Sequence, residues 1–264
     1  NLKKRFMNKL NSLFNLKDKV VVITGGAGYL CFEIAKSLHQ LGCYIVILDK
    51  DIKKAKELTN KILKNNERLF ISQIDVVNKK SFEKNFDLII KKFKTVDVLI
   101  NGAGINAPTS FLNIKEKEWD NIFASHLKGT LFGCQIFGKH MINKKSGSII
   151  NFSSASSGPP LSNAYAYSAA KAGIKNLSQN IAREWAEFNV RVNCLRPGFF
   201  PTNWSKKNFL DKKRIKKILN HTPMNRFGHP KELVGAVVWL SSDTSSFVTG
   251  AEIAIDGGFS SMTI

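Results

Sequence analysis

A chain of 264 residues that is 43% hydrophobic can bury one substantial core, and one domain is its natural division. No apolar run approaches the roughly 20 residues that cross a bilayer as a helix, so a membrane span is excluded. The formal net charge of +20 is carried largely by Lys along the whole chain, and with no aromatic-interleaved basic motif it reads as a surface bias, not a nucleic-acid site.

In chain order, residues 1–16 form a basic, loosely amphipathic leader with Phe6, Met7, Leu10, Leu13 and Phe14. It lacks the continuous apolar core of a secretory signal. A frayed leader and a mitochondrial-type presequence are the two readings left, and Met7 is a candidate natural start. The catalytic domain is then 17–264. Lys19–Thr24 predicts a strand and Tyr29–Leu41 a helix. Tyr44–Leu48, Leu69–Ile74 and Val96–Ile100 predict further strands, separated by helices at Ile52–Asn65 and Lys80–Phe93. A long helix is expected over Glu118–Ile142, a strand at Ser148–Phe152, a helix over Ala164–Phe188 and a strand at Val190–Leu195. A helical excursion falls near 200–225; Lys231–Leu240 predicts a helix and Ala251–Ile255 the last strand.

These strands are mostly unbroken hydrophobic runs, which parallel strands covered on both faces require. The fold class that follows is α/β: a doubly wound, Rossmann-type, mostly parallel seven-stranded sheet with helices on both faces, in a single domain. Ligands of such sheets bind beyond the carboxyl ends of the strands, so the chemistry belongs in the loops there. The four cysteines, Cys31, Cys43, Cys134 and Cys194, are far apart and form no CxxC pair. Reduced thiols in a cytoplasm fit them best, and no metal site is expected.

After the first strand comes Thr24-Gly25-Gly26-Ala27-Gly28-Tyr29-Leu30-Cys31. Glycines at a strand-to-helix turn let backbone N–H groups approach a pyrophosphate at the helix N-terminus; Gly25, Ala27, Gly28, Tyr29 and Leu30 are the expected contacts. A tight turn alone also explains a glycine cluster, but its place after the first strand and before a helix favours the cofactor. The second strand ends at Asp49, 24 residues after Gly25. A carboxylate there accepts the adenosine ribose hydroxyls and repels a 2′-phosphate, which favours NAD over NADP. Lys50 next door argues the other way, and Asp49 can also be read as a turn residue. Asp75 and Val76, ending the third strand, are placed to meet the adenine, and Asn101-Gly102-Ala103-Gly104 forms a second small-residue loop against the cofactor.

The fifth strand runs into Ser153-Ser154, and 13 residues after Ser154 comes Tyr167-Ser168-Ala169-Ala170-Lys171, opening a long helix. Residues i and i+4 share a helix face, so Tyr167 and Lys171 meet. A free tyrosine has a pKa of about 10, and bringing it to neutrality requires about 4 kcal/mol. One ammonium ~4 Å away supplies about that at an effective dielectric of about 20. Lys171 is therefore expected to make Tyr167 the acid/base, with Ser154 holding the substrate oxygen while a nicotinamide transfers hydride. A lone YxxxK is usually a surface pair; the serine and the upstream glycine loop remove that reading.

With these residues the sequence resembles a short-chain dehydrogenase/reductase of the single-domain type, over nearly all of Leu16–Ser260. The resemblance extends to Asn193-Cys194-Leu195-Arg196-Pro197-Gly198 with Thr202, and to Val248-Thr249-Gly250 and Asp256-Gly257-Gly258-Phe259. It implies that Pro197, Gly198, Phe199 and Thr202 grip the nicotinamide half of the cofactor. Within the family, GGAGYL, NGAG, GTLFGCQIFGKHM and RPGFFPTN are similar to the sugar-acid branch, the D-mannonate or gluconate oxidoreductase-like members. That implies a small polyhydroxylated carbonyl or alcohol substrate. It also implies a homo-oligomer, a dimer or homotetramer, packed through the helices near Glu118–Ile142 and Ala164–Phe188.

The chain departs from that pattern in three places. Cys31 stands where the loop's last glycine is usual, Gly102 replaces a second asparagine, and His126 in FASHLKGT replaces a catalytic asparagine that helps hold a water. For His126 three readings stay open: a substitute that holds the water or relays the proton, a tolerated change that slows catalysis, and a sign of a dinucleotide-binding protein that catalyses weakly or not at all. Phe199, Phe200, Trp204 and Tyr165 are candidates to line the substrate pocket. Lys206, Lys207, Lys212, Lys213 and Arg214 either attract an acidic substrate or solvate a mobile lid. The leading function is an NAD-dependent alcohol/ketone oxidoreductase of a sugar or sugar acid. A 3-oxoacyl-thioester reductase is the enzymatic alternative.

Overall fold

The computed structural model describes residues 12–62 and 67–262; most of the basic leader therefore lies outside the described residues. The seven strands are β1 (Val20–Thr24), β2 (Tyr44–Asp49), β3 (Leu69–Gln73), β4 (Val98–Asn101), β5 (Gly147–Phe152), β6 (Val190–Pro197) and β7 (Glu252–Ile255). They form one wholly parallel sheet in the order β3-β2-β1-β4-β5-β6-β7. The helices are α1 (Tyr29–Gln40), α2 (Ile52–Ile62), α3 (Lys79–Phe93), α4 (Glu116–Phe123), α5 (Gly129–Lys144), α6 (Tyr165–Trp185), α7 (Asn203–Asn208), α8 (Lys212–Asn220) and α9 (Val234–Ser241).

Alternation along the strands divides the core in two. Val21, Ile23, Ile45, Ile47, Ile100 and Ile150 pack on one face against α1 and α9. Val20, Val22, Val46, Leu48, Leu99 and Ile149 pack on the other against α3 and α5. With both faces covered, these side chains are almost wholly buried, each worth about 1.5–3 kcal/mol. Leu16 already belongs to the first cluster, so the core starts ahead of β1.

Strand order reverses between β1 and β4. The loops leaving these two neighbours diverge and open a crevice at the carboxyl edge of the sheet. Two elements differ from expectation. The helix expected over Glu118–Ile142 is α4 and α5 joined by a π turn at Ala124–Lys128. The wider turn inserts a residue and carries His126 inward to 4% exposure. The excursion after Pro201 divides into α7 and α8, each closed at its start by a side-chain cap, Thr202 and Asp211 respectively.

Candidate active site

Gly28 caps α1 in an extended conformation without a side-chain hydrogen bond, and the first turn of α1 carries no acidic residue. The first N–H groups of that helix thus have no intrahelical acceptor, and the helix dipole favours an anion there. The approach is kept clear by close backbone packing. Gly25 has φ of +66°, and a Cβ on it would lie 2.8 Å from Ala103 Cα. A Cβ on Gly26 would lie 2.9 Å from Ile47 Cγ2. This cradle fits a pyrophosphate. Cys31 and Gly102 prove to be one structural unit: a Cβ on Gly102 would overlap Cys31 Sγ, so the thiol fills the space that a side chain at 102 would need. Burial pushes that thiol up to about 12, so it stays protonated.

The crevice continues as a cavity of about 1080 Å³ whose wall includes Gly28, His126, Ser154, Tyr167, Lys171 and Thr202. Ser154 caps a short turn and accepts from the Ser156 N–H at 3.2 Å and from its hydroxyl at 3.1 Å. It is hydrogen-bonded in turn to Tyr167. Tyr167 and Lys171 lie one turn apart on α6, with the Lys171 Nζ 5.6 Å from the Tyr167 ring centroid. That Nζ donates to the Phe152 carbonyl at 2.6 Å.

The electrostatics of the pair run opposite to the expectation from their spacing. Burial raises the Tyr167 pKa above its ordinary value, and the Ser154 hydrogen bond only partly offsets this. Burial also lowers Lys171 to about 8, with the neighbouring Cys194 and Cys31 pulling the other way. The desolvation of phenol and ammonium outweighs the attraction that their one-turn spacing provides. In the protein alone Tyr167 is a protonated phenol.

His126 stands edge-on to Tyr167, with ring centroids 5.1 Å apart and planes at 82°. Its Nε2 lies 2.6 Å from the Ile105 carbonyl, so this nitrogen carries the proton and donates it. Nδ1 is buried without a partner. Burial first, then the nearby Lys171 charge, lowers its pKa to about 3, despite the opposing Ile105 hydrogen bond. With Nε2–H donated to the Ile105 carbonyl, the ring is neutral and fixed, and Nδ1 is the nitrogen left facing the site.

The family model described as enoyl-(acyl carrier protein) reductase, a short-chain dehydrogenase/reductase model, matches residues 27–260. The chain belongs to the short-chain dehydrogenase/reductase family. It is 34% identical to the NAD-dependent glycerol dehydrogenase of Listeria innocua, over 93% of this chain and 95% of that one. It is 32% identical to the 5-keto-D-gluconate 5-reductase of Escherichia coli K12, over 94% and 98%. Among solved structures, a gluconate 5-dehydrogenase from Burkholderia cenocepacia in complex with NADP and tartrate superposes with a TM-score of 0.90 at 27% identity, covering 96% of this chain and 99% of that one. This short-chain enzyme is thus a dinucleotide-binding oxidoreductase that acts on CH–OH groups and interconverts a secondary alcohol and a ketone.

Most residues expected at the site meet at one cavity. Gly25, Ala27, Gly28, Tyr29, Leu30, Gly102, Pro197, Gly198, Phe199 and Thr202 line it, as does the set around Tyr167. Five do not. Asn101 donates to the Asn151 side chain at 2.8 Å and sits against Gly133, bracing β4 to β5. Asp49 accepts from the Ala27 and Asp51 N–H groups at 2.9 and 3.0 Å, tying the glycine loop to β2. Asp75 accepts from the Val77 N–H at 3.2 Å and shapes its own turn, Val76 packs on Gly129, and Ala103 contributes the close approach to Gly25. Tyr165 pairs with Phe111 outside the wall. Ile105, Asn106, Leu161 and Phe209 line the cavity and were not expected; no local motif marks them, since the fold brings them in from separate loops.

Proposed function

We propose that this enzyme reduces and forms a keto group on a sugar or sugar acid with NAD, using Ser154, Tyr167 and Lys171 at the reacting carbon. The observation that carries this is the chain from Ser156 through Ser154 to Tyr167, one helix turn from Lys171, in the cavity that starts at the glycine cradle. A nicotinamide dinucleotide, when bound, exchanges the hydride. The cradle at Gly25, Ala27, Gly28, Tyr29 and Leu30 holds its phosphates, and Pro197, Gly198, Phe199 and Thr202 border its nicotinamide half. The loops at Asp75, Val76, Asn101, Gly102 and Ala103 shape the rest of the channel. Asp49 at the end of β2 supports NAD, because a carboxylate at that strand end would repel a 2′-phosphate.

In the reductive direction the protonated Tyr167 gives its proton to the carbonyl oxygen, which Ser154 holds by hydrogen bond. Lys171 then restores the phenol; with a pKa near 8 it exchanges its own proton easily around neutrality. His126 acts as a positioning residue that fixes the Ile105 loop against the Tyr167 ring. Four buried free cysteines support a reducing, cytoplasmic setting. Trp119, 38% exposed and stacked on Phe123, supports packing of α4 against a second copy in a dimer or tetramer.

Tyr167→Phe tests the reading. Turnover should fall by about 10² to 10⁴ while NADH binding, followed by its fluorescence, persists. Retained turnover would remove Tyr167 from the mechanism. A substrate panel in which only 3-oxoacyl thioesters react would replace the sugar assignment, and tighter NADPH than NADH binding would replace NAD.

A further inference from the structure

The charged side chains in the cavity wall are Glu33, Lys54, Lys171 and Lys206. Three already have a place in the fold or in the chemistry. Glu33 is paired with Lys36 at 2.6 Å and, like Lys54, lies beside the cradle on α1 or α2. Lys171 sits below Tyr167 with its nitrogen on the Phe152 carbonyl. Histidine 126 is neutral. Lys206 alone remains at the other end, on α7, among Trp204, Phe209 and Leu210. No ion pair engages it among the described residues, and no carboxylate lines that end of the cavity.

The helix that carries Lys206 is held over the opening. Its first turn is locked by a reciprocal cap in which the Ser205 N–H donates to Thr202 Oγ1 at 3.0 Å and the Thr202 N–H donates to Ser205 Oγ at 2.9 Å. From the next helix Arg214 reaches across and donates to the Ser162 carbonyl at 2.6 Å, its guanidinium 3.7 Å from the Phe209 ring centroid. Lys206 therefore borders the cavity from a braced helix, and the wall also offers neutral groups: Asn106, Ser156 and Asn203 for hydroxyls, Trp204 for a sugar's C–H face.

We infer that Lys206 is a specificity-determining residue that reads the carboxylate of an open-chain sugar acid, and so separates keto-aldonates from neutral ketoses. The inference rests on the sugar-directed reading above and narrows it to acids. The neighbouring Lys207 does not line the cavity and serves as the internal control.

The experiment is steady-state kinetics on keto-aldonates, 5-keto-D-gluconate first, against neutral ketoses of equal chain length such as D-fructose. The readout is the ratio of kcat/KM values, acid over neutral. Lys206→Ala should lower that ratio about tenfold or more, as the loss of a hydrogen bond to a charged group predicts. Lys206→Arg should restore most of it and Lys207→Ala should leave it at the parent value. A merely structural role for Lys206 would lower both substrates together and leave the ratio unchanged, which overturns the inference while the enzyme stays active. A parent that prefers neutral ketoses overturns it too. A parent that turns over neither class breaks the sugar reading itself, and this inference with it.

Discussion

The cradle around α1 and the lid of α7 and α8 bound the same cavity, but different parts of the chain hold them in place. The cradle is fixed by close packing around its glycines and by one carboxylate: a Cβ on Gly25 would meet the Ala103 main chain, one on Gly26 would meet the Ile47 side chain, and Asp49 ties the Ala27 N–H to β2. The lid is fixed by side chains: a Thr202–Ser205 cap, the Asp211 cap, and Arg214 laid across Phe209 to reach Ser162. One consequence is tolerance. At Gly25 even a methyl group must displace main chain, whereas on the lid most positions are exposed and a substitution changes what the cavity recognises. The cofactor end is built to stay constant and the substrate end to vary.

The hardest test of that contrast is Gly102→Asn. The new side chain needs the space of Cys31 Sγ, and overpacking of this kind costs about 3 kcal/mol. Cys31→Gly empties the same space, so in that background Gly102→Asn should cost about 1 kcal/mol, a coupling of about 2 kcal/mol. Urea midpoints of the parent, both single variants and the double variant measure it. Additive effects would mean that the thiol is not what excludes the side chain, and the cradle would be less tightly determined than described.

A smaller effect is expected where the two regions meet. His126 links the Ile105 loop to Tyr167, and its folded pKa of about 3 lies below the ordinary 6.5. The unfolded chain therefore takes up a proton that the folded one refuses. Stability is therefore undiminished by this group above pH 6.5 and is lost progressively as pH falls toward 3. At pH 5 the penalty amounts to about 2 kcal/mol. Between pH 7 and pH 5 the parent should lose about that much more stability than His126→Asn, as read from melting temperatures or urea unfolding. Equal losses would place the ionisation elsewhere. The same pKa also predicts no inflection from His126 near pH 6.5 in the rate profile.

The contrast also explains what the sequence made legible. The parallel sheet was readable because its strands are continuous apolar runs, and the cradle because glycines follow β1 directly. Tyr167 and Lys171 were readable because helix geometry alone brings i and i+4 together. What local spacing does not encode was missed. Nothing near Asn101 shows that its side chain turns toward Asn151, a partner 50 residues away. The π turn that buries His126 answers to a carbonyl in another loop. The sign of the Tyr167 shift was missed because pair spacing reveals attraction and not desolvation.

The smallest effect is expected from Arg214→Ala, and it separates the two regions most directly. Arg214 is partly exposed, so its hydrogen bond to Ser162 and its stacking on Phe209 together stabilise the fold by about 1 kcal/mol or less. The substitution leaves every cradle contact in place. The lid should then spend less time closed, raising KM about threefold, a change equivalent to about 0.6 kcal/mol. The dissociation constant of NADH, measured by fluorescence without substrate, should not move. Arg214→Lys should fall between the two, because a lysine keeps the charge and a single donor but loses the flat guanidinium that lies on Phe209. If NADH binding weakened in step with KM, the lid would be holding the cradle in shape, and the division between a tightly packed cofactor end and an exposed, side-chain-braced lid would fail.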